Sequence, residues 1–118
     1  MKEYVCESLD LVEYVVWVGE NAIENWQLVD RAEPDDMWFH VANYPSGHVV
    51  VRASHLDASH LGADLPKDVI VYCARLCKAQ SKQKYMKNIE IIYTKIRNVK
   101  KTHVVGEVRV RKSKSIYV

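Results

Sequence analysis

Two histidines, His40 and His48, stand on either side of a Tyr44-Pro45-Ser46-Gly47 turn, with Trp38 just before the first and Arg52 just after the second. Two imidazoles on one strand face can act as general acid and base while a guanidinium clamps a phosphate, the set a ribonuclease requires. The same residue types also serve folding, since a histidine can fix a turn by bonding backbone and an arginine can stack on an indole. Other ligand sets are weaker. Cys73 and Cys77 lie four apart and can reach one metal, but the third cysteine, Cys6, is remote, and a free cysteine is usually a small buried hydrophobe. His40, His48, His55 and His60 share a zinc ion only if a loop folds back, and Pro34-Asp35-Asp36 reads as a turn before a strand. No catalytic residue, metal or cofactor is assigned, and the odd cysteine count carries no disulfide framework.

A second chemistry is carried by charge. The net charge of +2 conceals a division: residues 1 to 66 balance to −9 and residues 67 to 118 to +11. Such asymmetry marks an anion-seeking half or, alternatively, two halves that neutralise each other. Lysines and arginines spaced to meet phosphates, with flat side chains among them, are what nucleic acid binding needs. Arg75, Lys78, Lys82, Lys95, Lys100, Lys101, Arg109 and Arg111 supply the cations, and Trp38, Tyr85 and Tyr93 the rings. A third reading is an adaptor that docks a protein partner through acidic residues such as Glu3, Glu7, Asp10, Glu13 and Asp30.

These residues need elements to position them. Alternation places Trp38, His40, His48 and Arg52 on one face of a hairpin and Phe39, Val41, Val49 and Val51 on the other. The expected register pairs Ala42 with His48, His40 with Val50 and Trp38 with Arg52, closed by a loop over 43–47. Strands are predicted over 12–18, 37–42, 48–53, 89–96, 106–111 and 115–118. A first helix starts at Asn21, which with Glu24 resembles a capping box, and is expected to bury Ile23, Trp26 and Val29. A second helix begins near Pro66 and ends near Lys82; on a wheel Val69, Ile70, Cys73, Leu76 and Cys77 share an arc opposite Lys67, Arg75, Lys78 and Lys82. The fold class is α+β, a mostly antiparallel sheet with two principal helices packed on its apolar face. With 118 residues it is a single domain. No apolar run approaches the ~20 residues a membrane span requires. The acidic start lacks a leader's apolar region, so a soluble cytoplasmic protein without membrane insertion is expected.

The hairpin, an aspartate before Trp38-Phe39-His40-Val41 and then His48-Val49-Val50-Val51-Arg52, resembles the signature of the NFACT-R domain, the RNA-binding module of ribosome quality control factors. Gly19, Asn21, Asn25 and Leu28 are similar to its opening helix motif. Ala79-Gln80-Ser81-Lys82 resembles its second helix, and Tyr93-Thr94-Lys95 with Asn98-Val99-Lys100-Lys101 its strand and basic loop. The layout is that of the small free-standing members, although their helical, charged C-terminal tail is not seen before the chain stops at Val118. The N-terminal domain and coiled coils of the large factors are also not seen, so tailing of nascent chains is not implied. The segment from His55 to Ala63 is richer in histidine than the family pattern. The resemblance implies binding rather than turnover and favours RNA, such as transfer RNA or a ribosomal particle, with DNA left open.

Overall fold

The computed structural model describes residues 1–53 and 65–118. The chain runs β1 (Lys2–Glu7), β2 (Glu13–Val18), α1 (Ala22–Arg31), β3 (Met37–Val41), β4 (Val49–Val51), α2 (Lys67–Ala79), β5 (Glu90–Lys95), a 3-10 turn at Ile96–Asn98, β6 (Val99–Lys101), β7 (Val108–Val110) and β8 (Lys114–Tyr117). Six strands form an antiparallel sheet in the order β1-β2-β4-β3-β5-β8, and β6 and β7 form a separate two-stranded ribbon. The α+β class and the two principal helices are as expected. Strands β1 and β6 were not anticipated, and β7 leaves the main sheet to pair with β6.

Alternation along the central strands supplies two apolar faces. Val16, Phe39, Val41, Val49, Val51 and Ile91 meet the α2 residues Val69, Ile70, Cys73, Ala74 and Cys77. On the opposite face Trp17, Trp38 and Val50 meet Leu28 of α1, and the ribbon residues Val99, Val108 and Val110 complete this second core. The helices therefore divide between the two faces of the sheet. This explains why Val49, Val50 and Val51 are all buried: a strand covered on both sides reads as a continuous apolar run.

Helix α1 is capped as expected, the Glu24 amide donating to Asn21 Oδ1 at 2.9 Å, while Glu24 Oε1 accepts from the Glu20 amide at 3.0 Å. Its buried residues are Asn25 and Leu28, not the expected trio: Ile23 is 63% exposed, and Trp26 and Val29 are half-buried. The face is turned because Asn25 has a structural task, accepting the buried His48 amide at 3.0 Å. Gly19 sits so close to this bond that a Cβ there would lie 2.3 Å from Asn25 Oδ1.

The hairpin register differs by two residues from the expected one. Trp38 pairs with Val50, Phe39 with Val49 and Met37 with Val51. A slip of two keeps every side chain on its face, so Trp38 and His40 still oppose Phe39 and Val41. The shift comes with a loop that uses a side chain for a ladder partner, the Val41 amide donating to Ser46 Oγ at 3.2 Å. It also brings the rings of His40 and His48 to 5.3 Å.

Candidate nucleic-acid interface

Asp36 and Arg52, which open and close the hairpin motif, hold the fold. The Asp36 side chain is fully buried and accepts the Ala53 amide at Oδ1 and the Glu33 amide at Oδ2, each at 2.9 Å. Arg52 Nε lies 2.9 Å from Asp36 Oδ2, and its guanidinium carbon is 4.6 Å from the Trp17 ring centroid. Arg31 lies over the same indole at 3.9 Å. Arg52 thus meets Trp17 rather than the expected Trp38, and the ribonuclease set of two histidines with an arginine clamp is not assembled. Asp35 and Asp36 are likewise occupied, Asp35 by Arg97 and Lys95.

Trp38 is 1% exposed, which removes it as an open stacking platform in this conformation. It supports the histidines instead. His40 stacks on it at 5.6 Å with an interplanar angle of 11°, and His48 meets it edge-on at 5.2 Å. His40 Nδ1 lies 2.6 Å from the Val41 carbonyl oxygen, which places the proton on Nδ1 and leaves Nε2 an acceptor. Burial pulls the His40 pKa below its ordinary value against the effect of that carbonyl. Burial, with His40 close by, pulls His48 down to about 3, so both rings are neutral near pH 7. They line a cleft where the hairpin loop, the start of α1, the β6–β7 turn and the end of α2 meet, with Asn25, Ser81 and Lys82 among its other walls. Asn25 and Ser81 were legible only as motif residues, because nothing in their chemistry marks them for a cleft.

The cations fall into separate groups. Lys101 pairs with Asp30 at 2.7 Å and lies 5.2 Å from the Trp26 ring, while Lys95 and Arg97 share Asp35. Mutual neutralisation of the two halves is therefore real but partial. Arg75 is exposed on the outer side of α2, and Lys78 Nζ donates to the Val118 carbonyl at 3.1 Å. Lys82 lies beyond the helix end, in the cleft. Lys100 and Arg109 stand directly opposite each other across the ribbon, both exposed and, among the described residues, without a carboxylate partner. Arg111 is exposed just past β7. Since α2 and the ribbon cover opposite faces, these charges do not form one continuous surface. Of the candidate stacking rings only Tyr85 is open, at 89% exposed, with Lys84 Nζ 5.2 Å from its centroid; Tyr93 stacks on Phe39 at 5.4 Å.

The cysteines are free and buried. Burial pushes the Cys73 thiol far up and Cys77 up to about 12, the reverse of what a thiolate ligand needs. No group of three metal-ligating side chains occurs among the described residues, and His55 and His60 lie outside them. No helix among the described residues is long and apolar enough to cross a membrane.

Comparison with known proteins brings these features together. Residues 2–112 match the model of the NFACT protein RNA binding domain. The chain is 33% identical to coiled-coil domain-containing protein 25 of Mus musculus over 118 residues, covering 98% of this chain and 55% of that protein. It is 36% identical over 87 residues to the Rqc2 homolog RqcH of Bacillus subtilis, covering 73% of this chain and 14% of that one. The chain spans about half the length of the coiled-coil domain-containing relatives it matches. Among solved structures, the C-terminal part of the fibronectin/fibrinogen-binding protein from Streptococcus suis has the same fold, with a TM-score of 0.79 at 23% identity over 100% of this chain and 45% of that one.

Proposed function

The chain belongs to the family of the NFACT protein RNA binding domain, and from that premise we propose that it binds structured RNA, transfer RNA or a ribosomal particle, in the cytoplasm and without turnover. The observation that carries this reading is the pairing of Lys100 with Arg109. Like charges directly opposite on neighbouring strands destabilise a ladder, and here no carboxylate among the described residues relieves them. A phosphate lying across the ribbon would. Lys82, at the cleft beside the β6–β7 turn, extends this cationic side, and Arg111 follows at the end of β7. RNA is favoured over DNA by family membership; the charges themselves are indifferent to the sugar. Arg75 and Lys78, on the far side of the sheet, would meet a second segment of a large RNA rather than the same groove.

Titration of labelled transfer RNA, a matched DNA hairpin and heparin against the protein tests this. Transfer RNA is expected to bind most tightly. Equal binding to all three would make the protein a general polyanion binder, and binding to none would refute the proposal.

A further inference from the structure

Resting on the RNA-binding reading, we propose that the cleft beside the hairpin loop holds one unpaired nucleotide of the bound strand, its base against His40 and His48 and its phosphate toward Lys82. His48 lines the cleft although it is only 2% exposed, and its Nδ1 has no partner among the described residues. Buried polar atoms are nearly always paired, so an orphan on a ring that lines a cleft points to a ligand there that completes it. His40, on the same cleft, has spent Nδ1 on the Val41 carbonyl and offers Nε2 as an acceptor. Trp38 stacks behind His40 and fixes its plane.

The acceptors decide the ligand class. Ser81 Oγ donates to the Lys78 carbonyl at 2.7 Å and Ser46 Oγ to the Gly47 carbonyl at 3.3 Å, so neither is a free donor. Glu20 and Glu107 add carboxylate oxygens to the walls, Glu20 being paired with the N-terminal amine and Lys2. Two carboxylates in the walls and a single lysine at the edge disfavour a bare phosphate deep in the cleft, where it would meet Glu20, Glu107 and the His40 lone pair. The cleft suits a base edge that donates, such as the amino group of cytosine or adenine, with the phosphate outside at Lys82. Uracil, with a single ring N–H to give, fits less well. Unpaired bases recognised along their edges in this way are the usual route to sequence preference in RNA.

The test is imidazole NMR of the wild-type protein, following the ring carbon protons of His40 and His48 during titration with CMP, AMP, UMP and inorganic phosphate. CMP and AMP are expected to shift both rings saturably, UMP less, and phosphate not at all. A parallel measurement compares single-stranded RNA binding of wild type and His40→Phe, which keeps a flat ring on Trp38 but removes the acceptor. The variant should bind about tenfold more weakly, the weight of one good base contact, while still unfolding in one cooperative transition. If the wild type binds RNA yet no nucleotide shifts either ring and His40→Phe binds as tightly, the cleft assignment is overturned while RNA binding stands. If neither RNA nor nucleotides bind, both fall.

Discussion

A buried carboxylate paired with an arginine constrains the residues that open and close the hairpin. Removing Arg52 would take the guanidinium away from the buried Asp36 carboxylate, which also accepts the Ala53 and Glu33 amides. Arg52→Ala should therefore lower stability by about 3 kcal/mol, the lower end for a broken buried pair because the Arg52 side chain keeps 23% of its exposure. A urea midpoint equal to wild type would show that Arg52 is spare to the fold. The histidines give a pH dependence of known sign. Their folded pKa values lie below the ordinary ~6.5 of the unfolded chain, so the stability they contribute is present above that value and lost as pH falls toward the folded pKa, about 3 for His48. Below the unfolded value and down to about pH 5 the slope should approach ~1.4 kcal/mol per unit for His48, with His40 adding to it in the same direction and Lys82, Glu20 and Glu107 the charged groups around them. Urea midpoints across that range should fall for wild type and flatten in His40→Phe with His48→Phe; a flat wild-type profile would contradict the burial. At this scale the face of each hairpin residue was readable from alternation alone. The partner of Arg52 was not, because Trp17 comes from a strand whose neighbour the sequence does not name.

Elements were legible where the apolar period was long. The arc Val69, Ile70, Cys73 and Cys77 is the buried side of α2, as a wheel requires. The first helix misled because its inner face carries an asparagine, and hydrophobic periodicity has no means of placing a polar residue that serves the strand beside it. β6 spans three residues, two of them lysines, and β1 is a charged edge strand, so neither carries a strong period. The motif residues Gly19, Asn21 and Asn25 belong to this scale: they cap α1 and lock it onto β4. Asn25→Ala should cost about 1–3 kcal/mol by leaving the buried His48 amide unpaired. Gly19→Ala should destabilise by pushing Asn25 Oδ1 off the same amide. Denaturant unfolding of the two single variants and their double checks the link. A double variant as damaged as the sum of the singles would mean that they act independently.

Across the whole molecule, the sheet separates two cationic regions that look continuous in sequence. The acidic first half neutralises part of the basic second half through Asp30 and Asp35, and what is left over defines the surface open to an anion. Lys100 and Arg109 are the test of that claim, since replacing them removes two charges from the solvent face of a ribbon whose core contacts, Val99, Val108 and Val110, stay in place. The most direct measurement is the salt dependence of transfer RNA affinity for wild type and for Lys100→Ala with Arg109→Ala. Phosphate contacts release counterions, so wild-type affinity should fall steeply with salt, and the double variant should bind more weakly with a slope reduced by about 2 in log–log form. An affinity and slope unchanged by the double substitution would place the RNA elsewhere and contradict the account.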